Sequence, residues 1–90
     1  MKTVEIYLSG IVQGVGFRYY TKRVAKELSV KGYVKNLADG RVYIIAVGDD
    51  AMLDKFVSAI KKGPRLAVVK SVEIREIQSA EEFKNFEIRY

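Results

Sequence analysis

Neither cysteine nor histidine occurs among the 90 residues, and there is one proline and no tryptophan. Without cysteine there is no disulfide staple and no thiolate to hold a metal or attack a substrate. Without histidine there is no imidazole ligand and no imidazole general base. Long apolar runs are missing too: nothing approaches the roughly 20 residues of a membrane-spanning helix. The opening stretch "MKTVEIYLSG" places Glu5 where a signal-peptide core would lie, so no secretion signal is predicted and a cytoplasmic location is expected.

What remains is a chain with 49% hydrophobic residues, enough for one compact domain over 1–90, near the lower end of the size at which a core suffices unaided. Lys and Arg number 16 against 11 Asp and Glu, for a net charge of +5. That balance favours anionic partners without separating nucleic acid from a small phosphate.

Along the chain, Val4, Ile6 and Leu8 alternate with Thr3, Glu5, Tyr7 and Ser9, which predicts a strand with one face buried. From Phe17 the period becomes helical: Tyr20 or Thr21, Val24, Ala25 and Leu28 share a face, and the helix should end near Ser29. A second strand is expected from Tyr33 to Asn36. After it, "NLADG" is a hairpin signal, because glycine accepts the positive φ of tight turns. Residues 41–47 are apolar on both parities and predict a central strand. Asp49 or Asp50 can cap a second helix bearing Leu53, Phe56, Val57 and Ile60, which "KKGP" terminates. A fourth strand around Val68 to Ile77, the polar connection "QSAEEFK" and a short strand from Phe86 to Tyr90 complete the order. The economical packing is an α+β, ferredoxin-like split βαβ sandwich: βαββαβ plus a C-terminal strand, an antiparallel sheet with two helices on one face.

The stretch "GIVQGVGFRYY" fills the first strand-to-helix junction. Gly14 and Gly16 permit backbone conformations in which successive N–H groups turn inward as a nest, and the next helix adds its positive end. Arg18 offers a permanent charge and a planar fork suited to two phosphate oxygens. Taken alone, such a loop is more often a simple turn than an anion site. Asn36 adds to it, because parallel first and second strands bring their C-terminal ends to one edge of the sheet. A carboxamide there can accept a hydrogen from water and aim its lone pair at phosphorus.

Gly10, Val12, Gln13, Gly14, Val15, Phe17 and Arg18, with Gly32, Tyr33, Val34, Asn36, Gly40, Val42 and Gly48, resemble both signature motifs of the acylphosphatases at that family's spacing. "GPRLAVVKSVEI" and "FEIRY" extend the resemblance over essentially the whole chain. It implies hydrolysis of the carboxyl-phosphate bond of small acyl phosphates. The backbone amides of Gln13, Gly14, Val15, Gly16, Phe17 and Arg18 and the Arg18 side chain would bind the phosphoryl group, and Asn36 would position the attacking water. No metal, cofactor or covalent intermediate is implied. Ile11 stands where the family commonly has a basic residue, and Leu37 where some members have a small hydroxyl residue.

The expected partners are a small acyl phosphate and inorganic phosphate, acting on a monomer with no membrane. Nucleic-acid binding is a distant second reading: Tyr7 and Tyr43 could lie on the open face of adjacent strands, but "GRVYIIAV" lacks the aromatic pattern of an RNA-recognition strand. These tyrosines are expected to pack under loops or the last strand instead. A regulatory module is a third reading, since similar domains open long carbamoyl-transfer proteins that carry metal-binding cysteine motifs. The Tyr90 carboxylate is a further candidate for holding Arg18.

Overall fold

A computed structural model of the chain describes residues 1–79 and 81–90. Its elements are β1 (Lys2–Ile11), α1 (Phe17–Glu27), β2 (Lys31–Asn36), β3 (Val42–Gly48), α2 (Asp50–Lys62), β4 (Val68–Ile77) and β5 (Phe86–Arg89). The strands form one sheet in the order β4-β1-β3-β2-β5. β3 is central, as its apolar residues on both parities predict: Val42, Ile44 and Ala46 are buried on one face and Ile45 on the other.

β1 and β2 both pair antiparallel with β3, so they point the same way. Leu8 and Asn36 are both register partners of Val42, which brings the ends of β1 and β2 to one rim. The expectation of an antiparallel sheet needs correction at its last strand, because β5 pairs parallel with β2. β4 and β5 are opposite edges of the sheet, so the chain between them crosses to the far side instead of folding back as a hairpin. The expected "QSAEEFK" connection includes Ala80, which lies outside the described residues.

The core lies between one sheet face and the helices. Val4, Ile6 and Leu8 of β1, with Val34, Val42 and Ile44, meet Phe17, Val24 and Ala25 of α1 and Leu53, Phe56 and Ile60 of α2. Each Val, Leu, Ile or Phe side chain among them, fully buried, contributes about 1.5–3 kcal/mol. Between the alternatives at α1, Thr21 is the buried residue, and its hydroxyl donates to the Phe17 carbonyl at 2.8 Å within the helix. Tyr20 is half-buried, and its hydroxyl donates to the Ala59 carbonyl of α2 at 2.8 Å. α1 ends at Glu27, short of Ser29, whose φ of 55° lies in the left-handed region that a continuing helix cannot use. Among the described residues no helix is long and apolar enough to cross a membrane.

Candidate active site

The bend between β1 and α1 begins with a register shift between Ser9 and Gly10 on the β4 side. Such a bulge twists a strand and re-aims the chain beyond it. Gly14 and Gly16 then take φ values of 74° and 76°. A Cβ at either would touch nothing within 4 Å, so it is the left-handed backbone and not crowding that calls for glycine.

Gly16 is the N-cap of α1, with no side-chain capping hydrogen bond and no acidic residue in the first turn. The helix starts its internal ladder with the Tyr20 amide on the Gly16 carbonyl at 3.1 Å. The amides of Phe17, Arg18 and Tyr19 precede that bond and have no intrahelical acceptor, and the macrodipole adds partial positive charge at the same place.

Val12, Gly14, Gly16, Phe17, Arg18, Tyr19 and Asn36 line one small cavity of about 80 Å³ here. None of these residues is acidic. By the roughly 10–15 Å³ that one ordered water requires, the cavity has room for several waters or a compact anion. Asn36, the last residue of β2, is the one lining residue that comes from outside the β1-α1 segment. Its Oδ1 is buried and, among the described residues, has no hydrogen-bond partner. A buried acceptor left unpaired costs about 1–3 kcal/mol, so its persistence here suits a group that a ligand or reactant will satisfy.

The structure therefore brings Arg18 and Asn36, from separate motifs, to one cavity along with Gly14, Gly16 and Phe17. Two of the expected loop residues do not line it. Val15 packs against the hydrophobic core. Gln13 turns its side chain away, donating from Nε2 to the Leu37 carbonyl at 2.8 Å and the Arg41 carbonyl at 2.9 Å. Sequence reasoning assigns Tyr19 and Val12 no place in the site, because neither side chain carries chemistry that spacing reveals.

The expected hold on Arg18 by the Tyr90 carboxylate is replaced by another contact. The guanidinium carbon of Arg18 lies 4.7 Å from the centroid of the Tyr90 ring. Among the described residues no ion pair within 4 Å engages Arg18. A ring face attracts the cation without occupying its N–H donors, so the fork stays available to an incoming anion.

The opposite face of the sheet is built differently. Tyr7 and Tyr43 have centroids 4.8 Å apart, and Tyr33 packs on Phe83 at 5.9 Å. Glu5 accepts from the Tyr43 hydroxyl at 2.8 Å and from Arg75 Nε at 3.0 Å. The Arg75 and Tyr43 hydrogen bonds hold the Glu5 carboxyl below its ordinary value, whereas burial and then Glu5 push the Tyr43 phenol well above its own. Arg41 and Arg89 stack over Tyr7 and Tyr33 while pairing with Asp39 and with Glu81 and Glu87. Arg41, Arg75 and Arg89 and the ring faces of Tyr7 and Tyr33 are thus already engaged within the protein.

A mixed α+β sandwich with a glycine-shaped bend between its first strand and first helix is the class this architecture defines, and comparison with known proteins agrees. The acylphosphatase family model matches residues 4–88. An acylphosphatase of Archaeoglobus fulgidus is 60% identical over 90 residues, covering all of both chains. The crystal structure of acylphosphatase from Bacillus subtilis superposes with a TM-score of 0.95 at 40% identity, again covering both chains completely. The structure of HypF from T. kodakarensis, at TM-score 0.89 and 35% identity, covers the whole of this chain with 12% of its own. The chain belongs to the acylphosphatase family.

Proposed function

We infer that this protein hydrolyses the carboxyl-phosphate bond of small acyl phosphates, with Arg18 and the amides of the 13–18 loop holding the phosphoryl group and Asn36 positioning water. The observation that carries this reading is that Asn36, whose buried Oδ1 has no partner among the described residues, lines one cavity with Arg18 and the uncapped start of α1.

The phosphoryl oxygens accept hydrogen bonds from loop amides and from the Arg18 fork, with the Tyr19 amide beside them. A water donates one hydrogen to Asn36 Oδ1, which leaves a lone pair directed at phosphorus. As its oxygen bonds to phosphorus, the bond to the acyl oxygen breaks and the carboxylate departs with the electron pair. Both water protons end on the phosphate, so a dianionic acyl phosphate yields a carboxylate and dihydrogen phosphate. No external base is required by this balance. The leaving carboxylate belongs to an acid of pKa about 4–5, so it departs at neutral pH without a general acid. Phosphoryl transfer depends mainly on positioning and on stabilising charge at the equatorial oxygens, which fixed N–H donors and a guanidinium supply. One chain provides every group named, so a monomer suffices, and a cytoplasmic location remains the expectation.

The test is phosphate release from benzoyl phosphate by the purified protein in excess EDTA. Turnover well above the spontaneous rate is expected, and hydrolysis at the spontaneous rate would contradict the reading.

A further inference from the structure

We propose that Gln13 is a positioning residue: its side-chain amide sets the distance between the phosphate loop and Asn36. The proposal rests on the hydrolase reading above and adds the element that holds its two halves in register.

Gln13 immediately precedes Gly14, the first left-handed residue of the cradle, and is half-buried. Its Nε2 has two hydrogens, and both are used: one on the Leu37 carbonyl at 2.8 Å, the other on the Arg41 carbonyl at 2.9 Å. Those carbonyls stand on the two arms of the β2-β3 hairpin, next to its last register pair, Asn36 with Val42. The Leu37 amide closes the same hairpin on the Arg41 carbonyl at 2.8 Å. Gln13 therefore grips the hairpin at its base, with Leu37 coming directly after Asn36 in the chain. β1 and β2 are not neighbours in the sheet, since β3 separates them. The Gln13 side chain spans that gap outside the strand ladder.

The chemistry makes such a grip consequential. Water and phosphorus must approach to about 3–3.5 Å in line, and a misplacement near 1 Å can cost on the order of a hundredfold in rate. The phosphate contacts come from the β1-α1 side and the water contact from the β2 side. Releasing the grip disturbs the distance between them while leaving the cradle itself intact. A carboxylate at this position would set acceptors against acceptors, whereas a protonated carboxyl regains one donor.

The experiment compares kcat and inhibition by inorganic phosphate in the wild type, Gln13→Ala, Gln13→Glu, Asn36→Ala and the double variant Gln13→Ala/Asn36→Ala, with benzoyl phosphate as substrate. Thermal melts confirm that each is folded. Gln13→Ala is expected to lower kcat by roughly 10- to 100-fold and to change the phosphate inhibition constant by less than about 3-fold. Gln13→Glu should be slower than the wild type at neutral pH and recover part of its deficit as pH falls through the carboxyl range. In the Asn36→Ala background, adding Gln13→Ala should change kcat by less than about 2-fold, because the second change acts through a group already removed. An unchanged kcat in Gln13→Ala, an equal loss of kcat and phosphate binding, or full additivity in the double variant would each overturn the proposal. Should Gln13→Ala fail to fold, the pH recovery of Gln13→Glu decides: recovery supports positioning, and a flat deficit contradicts it. An inactive wild type would instead remove the hydrolase reading, so the two failures are distinguishable.

Discussion

The two helices of this protein begin in opposite ways. α2 starts behind Asp49, whose carboxylate accepts from the Met52 amide at 2.9 Å, and carries Asp50 in its first turn. Its own side chains thus cap one of its open amides and oppose the positive end of its dipole. α1 starts behind a left-handed glycine with neither cap nor acid. Glycine in place of a capping side chain costs only about a few tenths of a kcal/mol, and it leaves the first amides of α1 open to an outside acceptor. The difference teaches where an anion is proposed to bind: a helix start left unsatisfied beside an arginine has donors to offer, whereas the same feature with an acidic cap has given them to its own side chain.

Removing the groups that complete the open end should have the largest effect. Arg18→Ala is expected to lose turnover by about a hundredfold or more and to lose competitive inhibition by inorganic phosphate as well. Asn36→Ala should lose turnover on a similar scale yet retain phosphate binding. Loss of phosphate inhibition in both variants would remove the division of roles between them.

Making α1 resemble α2 should come next. Gly16→Asp places a carboxylate where the phosphoryl group is to sit and forces a non-glycine residue to φ 76°. Phosphate inhibition is expected to weaken at least about tenfold, since like charge alone opposes an anion at a helix start. Unchanged inhibition would mean that the anion does not use this helix end.

Opening α2 should do the converse, at smaller scale. Asp49→Ala is expected to lower stability by about 1 kcal/mol, read as a melting shift of roughly 4–8 °C, with kcat and phosphate inhibition unaltered. Altered kinetics would show that the two helix starts are not separable.

How much of this contrast can be read without the structure depends on the range of the interactions involved. Asp49 as a cap, the Asp-Gly hairpin and the central place of β3 come from local chemistry and periodicity, and these expectations hold. So does the meeting of Arg18 and Asn36, because strand direction alone sends both to one rim. β5 is harder: Phe86 and Ile88 alternate as any strand would, and nothing local says that it pairs parallel with β2 at the edge away from β4. The grip of Gln13 on Leu37 and Arg41 is likewise invisible, because a glutamine near a turn satisfies whatever carbonyl the tertiary fold presents. Tyr90 misleads for a related reason. Its carboxylate carries the obvious charge, but Arg18 meets the ring.

The smallest expected effect concerns the other face of the sheet, where an acid is fully partnered. Glu5 has a folded pKa lowered by Arg75 and Tyr43, so the unfolded chain binds more protons. Its contribution to stability is whole above the unfolded carboxylate value and is lost as pH falls through the lower folded value. Urea midpoints of the wild type and Glu5→Gln should therefore differ at neutral pH and converge in acid. Divergence in acid would contradict the assigned partners.

The central claim, that the start of α1 and the end of β2 together hold a phosphoryl group, is tested most directly by recording backbone and side-chain amide resonances while inorganic phosphate is added. Saturable shifts are expected in the amides of residues 14–19 and in the Asn36 carboxamide, with those of residues 50–53 at the capped start of α2 unmoved. Shifts of equal size at both helix starts, or none at residues 14–19, would contradict the claim.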